Sequence, residues 1–297
     1  MRRPARLQIV LQMSVEHYEN FPVASILCPP ALRPPIVAIY HFARTADDIA
    51  DEGTAAREER LARLAQYRAA LRRCAAGATP EGPWARVFGE LQRAIAQHGL
   101  PLHLLEDLLS AFEQDALRTR YDERESAESA QYPDRAALLD YCRRSANPIG
   151  RLLLHLYGVH DTKAQAQSDA VCSALQLINF WQDLSIDLPR GRLYVPREDA
   201  LAHGLNAQQL FERVQSEHSA RLVQSLCEWA GSLMREGAPL AHRLPGRAGW
   251  ELRFVVQGGQ RILHKIAATG FRTLHHRPRL RASDALPMAW GALRMRA

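Results

Sequence analysis

The chain has 297 residues, is 47% hydrophobic and carries a formal net charge of +6, with a pI near 9.3. That length can bury a large core in one or two domains. Its five cysteines, Cys28, Cys74, Cys142, Cys172 and Cys227, are scattered without a CxxC pair. This argues against a disulfide framework or zinc site and for a reducing, cytoplasmic setting.

In chain order, MRRPARLQIVLQM is too short and too polar to read as a secretory signal. No stretch approaches the roughly 20 apolar residues of a membrane-spanning helix. Pro34 and Pro35 suit a helix start, and the apolar positions after them predict a helix to about Glu52, broken by Gly53 and Thr54. REERLARLAQYRAALRRCAAG predicts an amphipathic helix with Gly77 past its end. WARVFGELQRAIAQHG and LHLLEDLLSAFEQDAL predict two more, separated by Gly99 and Pro101, and residues 119–133 read as a long connection.

Asp134 can cap a helix through AALLDYCRRSANPIGRLLLHLYG, which Pro148 and Gly150 should kink. SDAVCSALQLINFWQDLSID predicts a long helix ended by Pro189, with further helices within 197–236 and 250–270. Arg272, Arg277, Arg279 and Arg281 stand against Asp284 alone, and read as a solvated basic tail in preference to a lipid contact. With no alternating pattern and no repeat, the economical fold is one all-α domain.

Two stretches carry chemistry. Through FARTADDIADEG (42–53) and the residues just before it, helical spacing puts Tyr40, Arg44, Asp47 and Asp51 on one stripe. Taken alone, an acidic helix end is readily a solvated face, which suits Asp48 and Glu52. The second stretch, QLINFWQDLSIDLPRGRLYVP, sets Gln176, Asn179, Asp183 and Asp187 along one side of a helix whose other faces are apolar. Two interior helices with stacked oxygen ligands need cations between them, and carboxylate and amide oxygens select a hard ion such as Mg²⁺. Arg190, Arg192 and Tyr194 follow, and arginine suits an anionic oxygen group. Acids, Mg²⁺ and arginines together describe a diphosphate site, although an exposed loop is an equally good reading of Arg190. The pI alone suggests a nucleic-acid partner, but no basic helix with interleaved aromatics appears, and none is expected.

ARTADDIADE and QLINFWQDLSID…GRLYVP resemble the two Asp-rich motifs of the squalene/phytoene synthase family. The resemblance spans residues 14–290, leaving 1–13 and 291–297 as flexible ends. It implies an isoprenoid-synthase-like bundle around a central prenyl-diphosphate cavity. It implies that Asp47, Asp51, Asn179, Asp183 and Asp187 hold Mg²⁺, and that Arg44, Gln176, Arg192 and Tyr194 line the diphosphate end, with Asn20 and Phe21 near the substrate. HYENFPVAS (17–25), the Asn-Pro of SANPIG and GWELRFVVQGGQRIL (249–263) are similar to the bacterial hydroxysqualene synthases. The reaction implied is presqualene diphosphate plus water to hydroxysqualene plus diphosphate, a step of squalene and hopanoid synthesis. Its setting would be cytoplasmic, with peripheral contact to the inner membrane and other enzymes of the route as neighbours.

The rearranging cation calls for an apolar, aromatic-lined cavity. Candidates are Phe21, Tyr40, Phe112, Tyr121, Tyr141, Phe180 and Trp181, each also readable as plain core. Arg44, Tyr40 and Tyr121 are the catalytic candidates beside Asn147, which could position the water in the proline-kinked segment; Asn20 or a tyrosine hydroxyl could do so instead. His17, His41 and His155 read as packing or surface residues. Two other readings stay open: head-to-head condensation of farnesyl diphosphate to presqualene diphosphate or squalene, and a non-catalytic helical assembly module.

Overall fold

The computed structural model describes residues 28–295. Among these residues helices make all the regular structure apart from an isolated parallel bridge between Gln131 and Leu193. The all-α expectation is met. Asn20, Phe21, His17 and the HYENFPVAS segment lie outside the described residues.

Helix α1 (Arg33–Asp51) takes Pro34 and Pro35 in its first turn, where a missing N–H costs nothing. Its buried stripe runs through Ile36, Ile39, Phe42, Ala46 and Ile49. Helix α2 (Arg57–Ala75) buries Leu64, Tyr67 and Leu71 on the same stripe as a charged residue, Arg60. That guanidinium donates to the carbonyls of Ala50 (2.7 Å), Gly53 (2.8 Å) and Ala55 (3.0 Å). It thereby satisfies acceptors that the end of α1 would otherwise leave open, and fixes where α1 stops. Helix α3 (Ala85–His98) ends at Gly99, with φ 61°, and α4 (Leu102–Arg118) follows. Helices α1–α4 close around Phe42, Leu64, Tyr67, Phe88, Leu105 and Leu109.

Helix α5 (Arg135–Ser145) is capped by Asp134, whose carboxylate accepts from the Ala137 N–H at 2.7 Å. The expected kink is a break: α5 stops at Ser145 and α6 (Asn147–Leu156) starts afresh with Pro148 in its first turn. Proline has no N–H for the carbonyl four residues back and its ring crowds that carbonyl, which favours a break here over a kink. The long helix also ends earlier than expected. α7 (Thr162–Gln182) stops with Asp183 at its C-cap, and α8 (Leu184–Asp187) is one further turn. Short helices α9 (Arg197–Ala202) and α10 (Ala207–Phe211) lead to α11 (Glu217–Gly237) and α12 (Gly246–Ala268). The boundary expected after residue 290 falls inside α13 (Ala285–Arg294), whose Ala292 is buried, so residues 291–294 are not a loose end.

Helix α7 is the central post. A second, larger apolar cluster surrounds it, including Trp181, Leu222, Leu226, Met234 and Val256. α6 approaches α7 so closely that a Cβ at Gly150 would overlap Ser168 Oγ and Cys172 Sγ. Beside this contact runs an apolar cleft enclosing about 840 Å³ with its open mouth, lined by Ile36, Ile149, Leu154, Val171, Leu175 and Leu252 among others. A second hollow of about 440 Å³, lined by Asn179, Gln182 and the side-chain-free Gly258 and Gly259, shares Leu175 and Val255 with the first. The two follow one another along α7.

The 119–133 connection has a structural task. The Arg120 N–H donates to the Gly191 carbonyl (2.8 Å), and Gln131 bridges to Leu193, which together hold the loop carrying Arg192. Gly191 has φ 77°, and a Cβ there would overlap the Arg120 carbonyl. Gly53 has the same φ with open space around it. Gly191→Ala should therefore cost roughly 2–4 kcal/mol in denaturant unfolding, and Gly53→Ala only about 1 kcal/mol. Equal costs would mean that the loop is not locked at Gly191.

Candidate active site

Along α1 the predicted stripe is present. Tyr40, Asp47 and Asp51 are half-buried, and Arg44 is exposed. Arg44 pairs with Asp47 (3.1 Å) and Asp48 (2.6 Å), so it neutralises its own helix face. Asp51 turns inward to an ion pair with Arg192, whose side chain is only 13% exposed. This pair joins the two acid-bearing segments directly. Burial, and then Asp51 beside it, push the Asp47 carboxyl well above the usual range, against Arg44 and Arg192.

On α7 and α8, Gln176, Asn179, Asp183 and Asp187 are all half-buried while Leu177, Ile178, Phe180 and Trp181 between them are buried. Of this polar side, Asn179 lines the smaller hollow. Asp183 is held by Arg277, whose Nη2 donates at 3.0 Å. Burial pushes Asp187 up to about 7; Arg192 lowers it, while Asp183 and Asp51 raise it further. Asp187 thus feels the carboxylate of the opposite helix. Asn179 Oδ1 is buried with no hydrogen-bond partner. Arg190 is exposed, as an ordinary loop residue would be.

Two participants escaped the sequence reading. Asp115 on α4 is buried and receives the hydroxyls of Tyr141 (2.7 Å) and Tyr194 (3.2 Å). Tyr194 is therefore committed beneath Arg192, and stacks on Phe180 with centroids 3.7 Å apart. A signal existed: Asp115 falls four residues after Ala111 and seven after Leu108, on the apolar stripe of α4. Arg277 gave no such signal. It lies in an irregular segment, and only the tertiary fold brings it to Asp183, which corrects the reading of a wholly solvated basic tail.

The aromatics divide. Tyr141, Phe180 and Tyr194 form one buried group with Tyr132. Trp181 is fully buried beside Trp229 as core, and Phe112 packs on the α1–α4 cluster. Tyr121 is 40% exposed under the Arg57 guanidinium, 5.1 Å from its ring centre, so it stands at the rim. Asn147 is buried at the start of α6, its Oδ1 accepting from the Ser173 hydroxyl at 3.0 Å. His41 pairs with Glu90 (2.7 Å), and His155 bonds the His98 carbonyl (2.8 Å), both structural contacts.

Among the described residues no three His, Cys, Asp or Glu side chains converge as a ready cage for a metal. The donors nevertheless fit a hard cation in kind. Four carboxylates and a partnerless buried amide oxygen face one region, and burial holds the Asp47 and Asp187 carboxyls above the usual range, so a bound cation would favour their charged forms. Such a site suits Mg²⁺ held by few carboxylates and completed by substrate phosphates.

Burial pushes Asp115 up to about 7; Tyr141, Arg192 and Tyr194 pull it down, and Asp51 pushes it up. A raised acid favours the folded state below its unfolded pKa, about 4, and that advantage fades as pH rises to about 7. Asp115→Asn should thus gain stability over the parent between pH 4 and 7, by up to about 4 kcal/mol, with a constant gap above that. Denaturant unfolding at pH 5 and pH 8 measures it; a pH-independent difference would show that Asp115 stays charged.

Residues 15–284 match the profile of the squalene/phytoene synthase family. The chain is 34% identical over 278 residues to the hydroxysqualene synthase of Rhodopseudomonas palustris, covering 93% of this chain and 88% of that protein. It is 33% identical over 239 residues to the hydroxysqualene synthase of Sinorhizobium fredii, covering 80% and 74%. Among solved structures, the squalene synthase HpnC from Alicyclobacillus acidocaldarius superposes with a TM-score of 0.74 at 34% identity, covering 91% of this chain and 97% of that one. With an all-helical body, paired acid-bearing segments and this match over most of its length, the chain belongs to the squalene/phytoene synthase family.

Proposed function

We propose that this protein converts presqualene diphosphate and water to hydroxysqualene and diphosphate, using Mg²⁺, in squalene and hopanoid synthesis. The observation that carries the reading is the Arg192–Asp51 bridge between two acid-bearing segments, in a fold that also holds an apolar cleft along α7. The relatives named hydroxysqualene synthase support it. The five free cysteines support a reducing, cytoplasmic setting, and the lipid substrate supports work at a membrane surface beside other enzymes of the route.

Ionisation breaks the carbon–oxygen bond, and its electron pair leaves with the diphosphate. Arg192, Arg277 and Arg44, each paired with an acid in the free protein, would turn their donors to the leaving oxygens as charge grows there, once the acids are engaged by the cation. Mg²⁺ held by Asp47, Asp51, Asn179, Asp183 and Asp187 would add positive charge at the same oxygens. The cleft walls exclude bulk water while the cyclopropylcarbinyl cation rearranges. One water then forms the new carbon–oxygen bond through a lone pair and gives up a proton to diphosphate or solvent. Asn147 stands two and three residues before Ile149 and Gly150, which line the cleft, and its amide is oriented by the Ser173 hydroxyl; this supports Asn147 as the residue that would hold that water. In this reading Gln176, Tyr40 and Tyr121 would stand around the diphosphate end.

Product analysis with presqualene diphosphate, without NADPH, tests the reaction. An alcohol should form with Mg²⁺ and not in chelator; recovery of unreacted substrate in both would reject it. Formation of presqualene diphosphate or squalene from farnesyl diphosphate would favour the condensation reading. Asp47→Asn and Asp183→Asn should each lose about 100-fold or more in turnover with the thermal midpoint retained. Undiminished turnover would instead leave these acids with a structural task. Asn147→Leu should keep diphosphate release while lowering the alcohol share of products, and an unchanged product mixture would move the water-holding role elsewhere.

A further inference from the structure

Helix α13 is apolar on both sides. Its inner side sets Met288, Gly291 and Ala292 against α12, where the Met288 methyl faces Gly258 and Gly291 abuts Gln257. Its outer side presents Leu286 (81% exposed), Trp290 (57%) and Leu293 (63%), spaced four and three residues apart and so on one stripe. Trp250 on α12 is also exposed. Arg253 lies over its ring at 4.5 Å and donates to the Ala292 carbonyl at 3.4 Å, which ties Trp250 to the same patch. Three large apolar side chains on one short helix exceed the scattered singles of an ordinary surface.

The charge around this stripe has one sign. Between residues 246 and 295 there are nine Lys and Arg but only two acids, Glu251 and Asp284. Glu251 lines the apolar cleft, and Asp284 is buried between Arg261 (2.7 Å) and Lys265 (2.8 Å). The solvent-facing charge is therefore cationic. Arg279 and Arg281 stand at one end of the stripe, and Arg294, over the Trp290 ring at 4.2 Å, at the other.

We propose that the outer face of α13, together with Trp250, docks this protein onto a bilayer rich in anionic phospholipid. Leucines enter the acyl boundary, tryptophans sit at headgroup level and the arginines meet lipid phosphates. A second copy would bring the same positive field to the face, and a nucleic acid would find no use for the leucines. The inference rests on the lipid-substrate reading above for its purpose, since an apolar product must leave into a membrane.

The full chain is tested without substrate by flotation with phosphatidylcholine vesicles, with and without about one-third phosphatidylglycerol. Vesicle binding and product formation then fail independently. At least about tenfold preference for the anionic vesicles is expected, with blue-shifted tryptophan emission that Trp290→Phe diminishes. Leu286→Ser/Trp290→Ser/Leu293→Ser should lose about tenfold or more in partitioning while keeping helix content and thermal midpoint. Arg279→Gln/Arg281→Gln/Arg294→Gln should reduce the anionic preference. Absence of binding to anionic vesicles, or equal binding by parent and triple-serine variant, overturns the proposal. So does a parent that binds no vesicles but dimerises in light scattering, or binds single-stranded RNA, through residues the triple-serine variant removes.

Discussion

Arg192 and Asp51 form an ion pair across the hollow between α1 and the loop after α8, and the site takes its shape from that pairing. A charged pair with little solvent exposure is stable only if the groups around it share the charge. Here they do. Burial lowers the Arg192 pKa, but Tyr194, Asp51, Asp115 and Asp187 together raise it, so the guanidinium stays charged and becomes the common partner of four elements. The pair is positioned from both sides: Arg60 caps the end of α1 at Asp51, and Arg120 with Gly191 fixes the loop.

The acids outnumber what the arginines can balance. Asp47 and Asp187 are both raised by burial before any neighbour acts, and Asn179 Oδ1 has no partner. Such a constellation destabilises the fold and would be selected against without a ligand that repays it. A diphosphate with its cations matches the deficit in sign and in oxygen chemistry. The larger cleft along α7 is almost wholly apolar, while the hollow at Asn179 and Gln182 is mixed, so the first suits hydrocarbon.

Helix α12 connects this cavity to the outer surface. Its glycines, Gly258 and Gly259, leave room for the hollow beside Asn179 on one side and for the Met288 side chain of α13 on the other. The cationic C-terminal segment has two uses in this arrangement. Arg277 is drawn inward to Asp183, while Arg279, Arg281 and Arg294 stay at the surface around the apolar stripe.

Much of this was legible in the chain itself. Helical periodicity, proline starts and glycine stops located the helices, and the spacing of Asp47 with Asp51 and of Asn179 with Asp183 put oxygens on single faces, because i, i+3 and i, i+4 relations are local geometry. What the sequence could not determine depends on meetings between distant segments. The break at Ala146 and the stop of α7 at Gln182 are exceptions, closed by local bonds from Ala146 to Cys142 and from Asp183 to Asn179. Arg277 reaches Asp183, Tyr141 and Tyr194 reach Asp115, and Arg192 reaches Asp51 because packing closes the chain upon itself. Local pattern sets which face of a helix is polar; only the tertiary structure decides what that face meets, since pairing energies depend on burial and on groups that sequence spacing does not bring near.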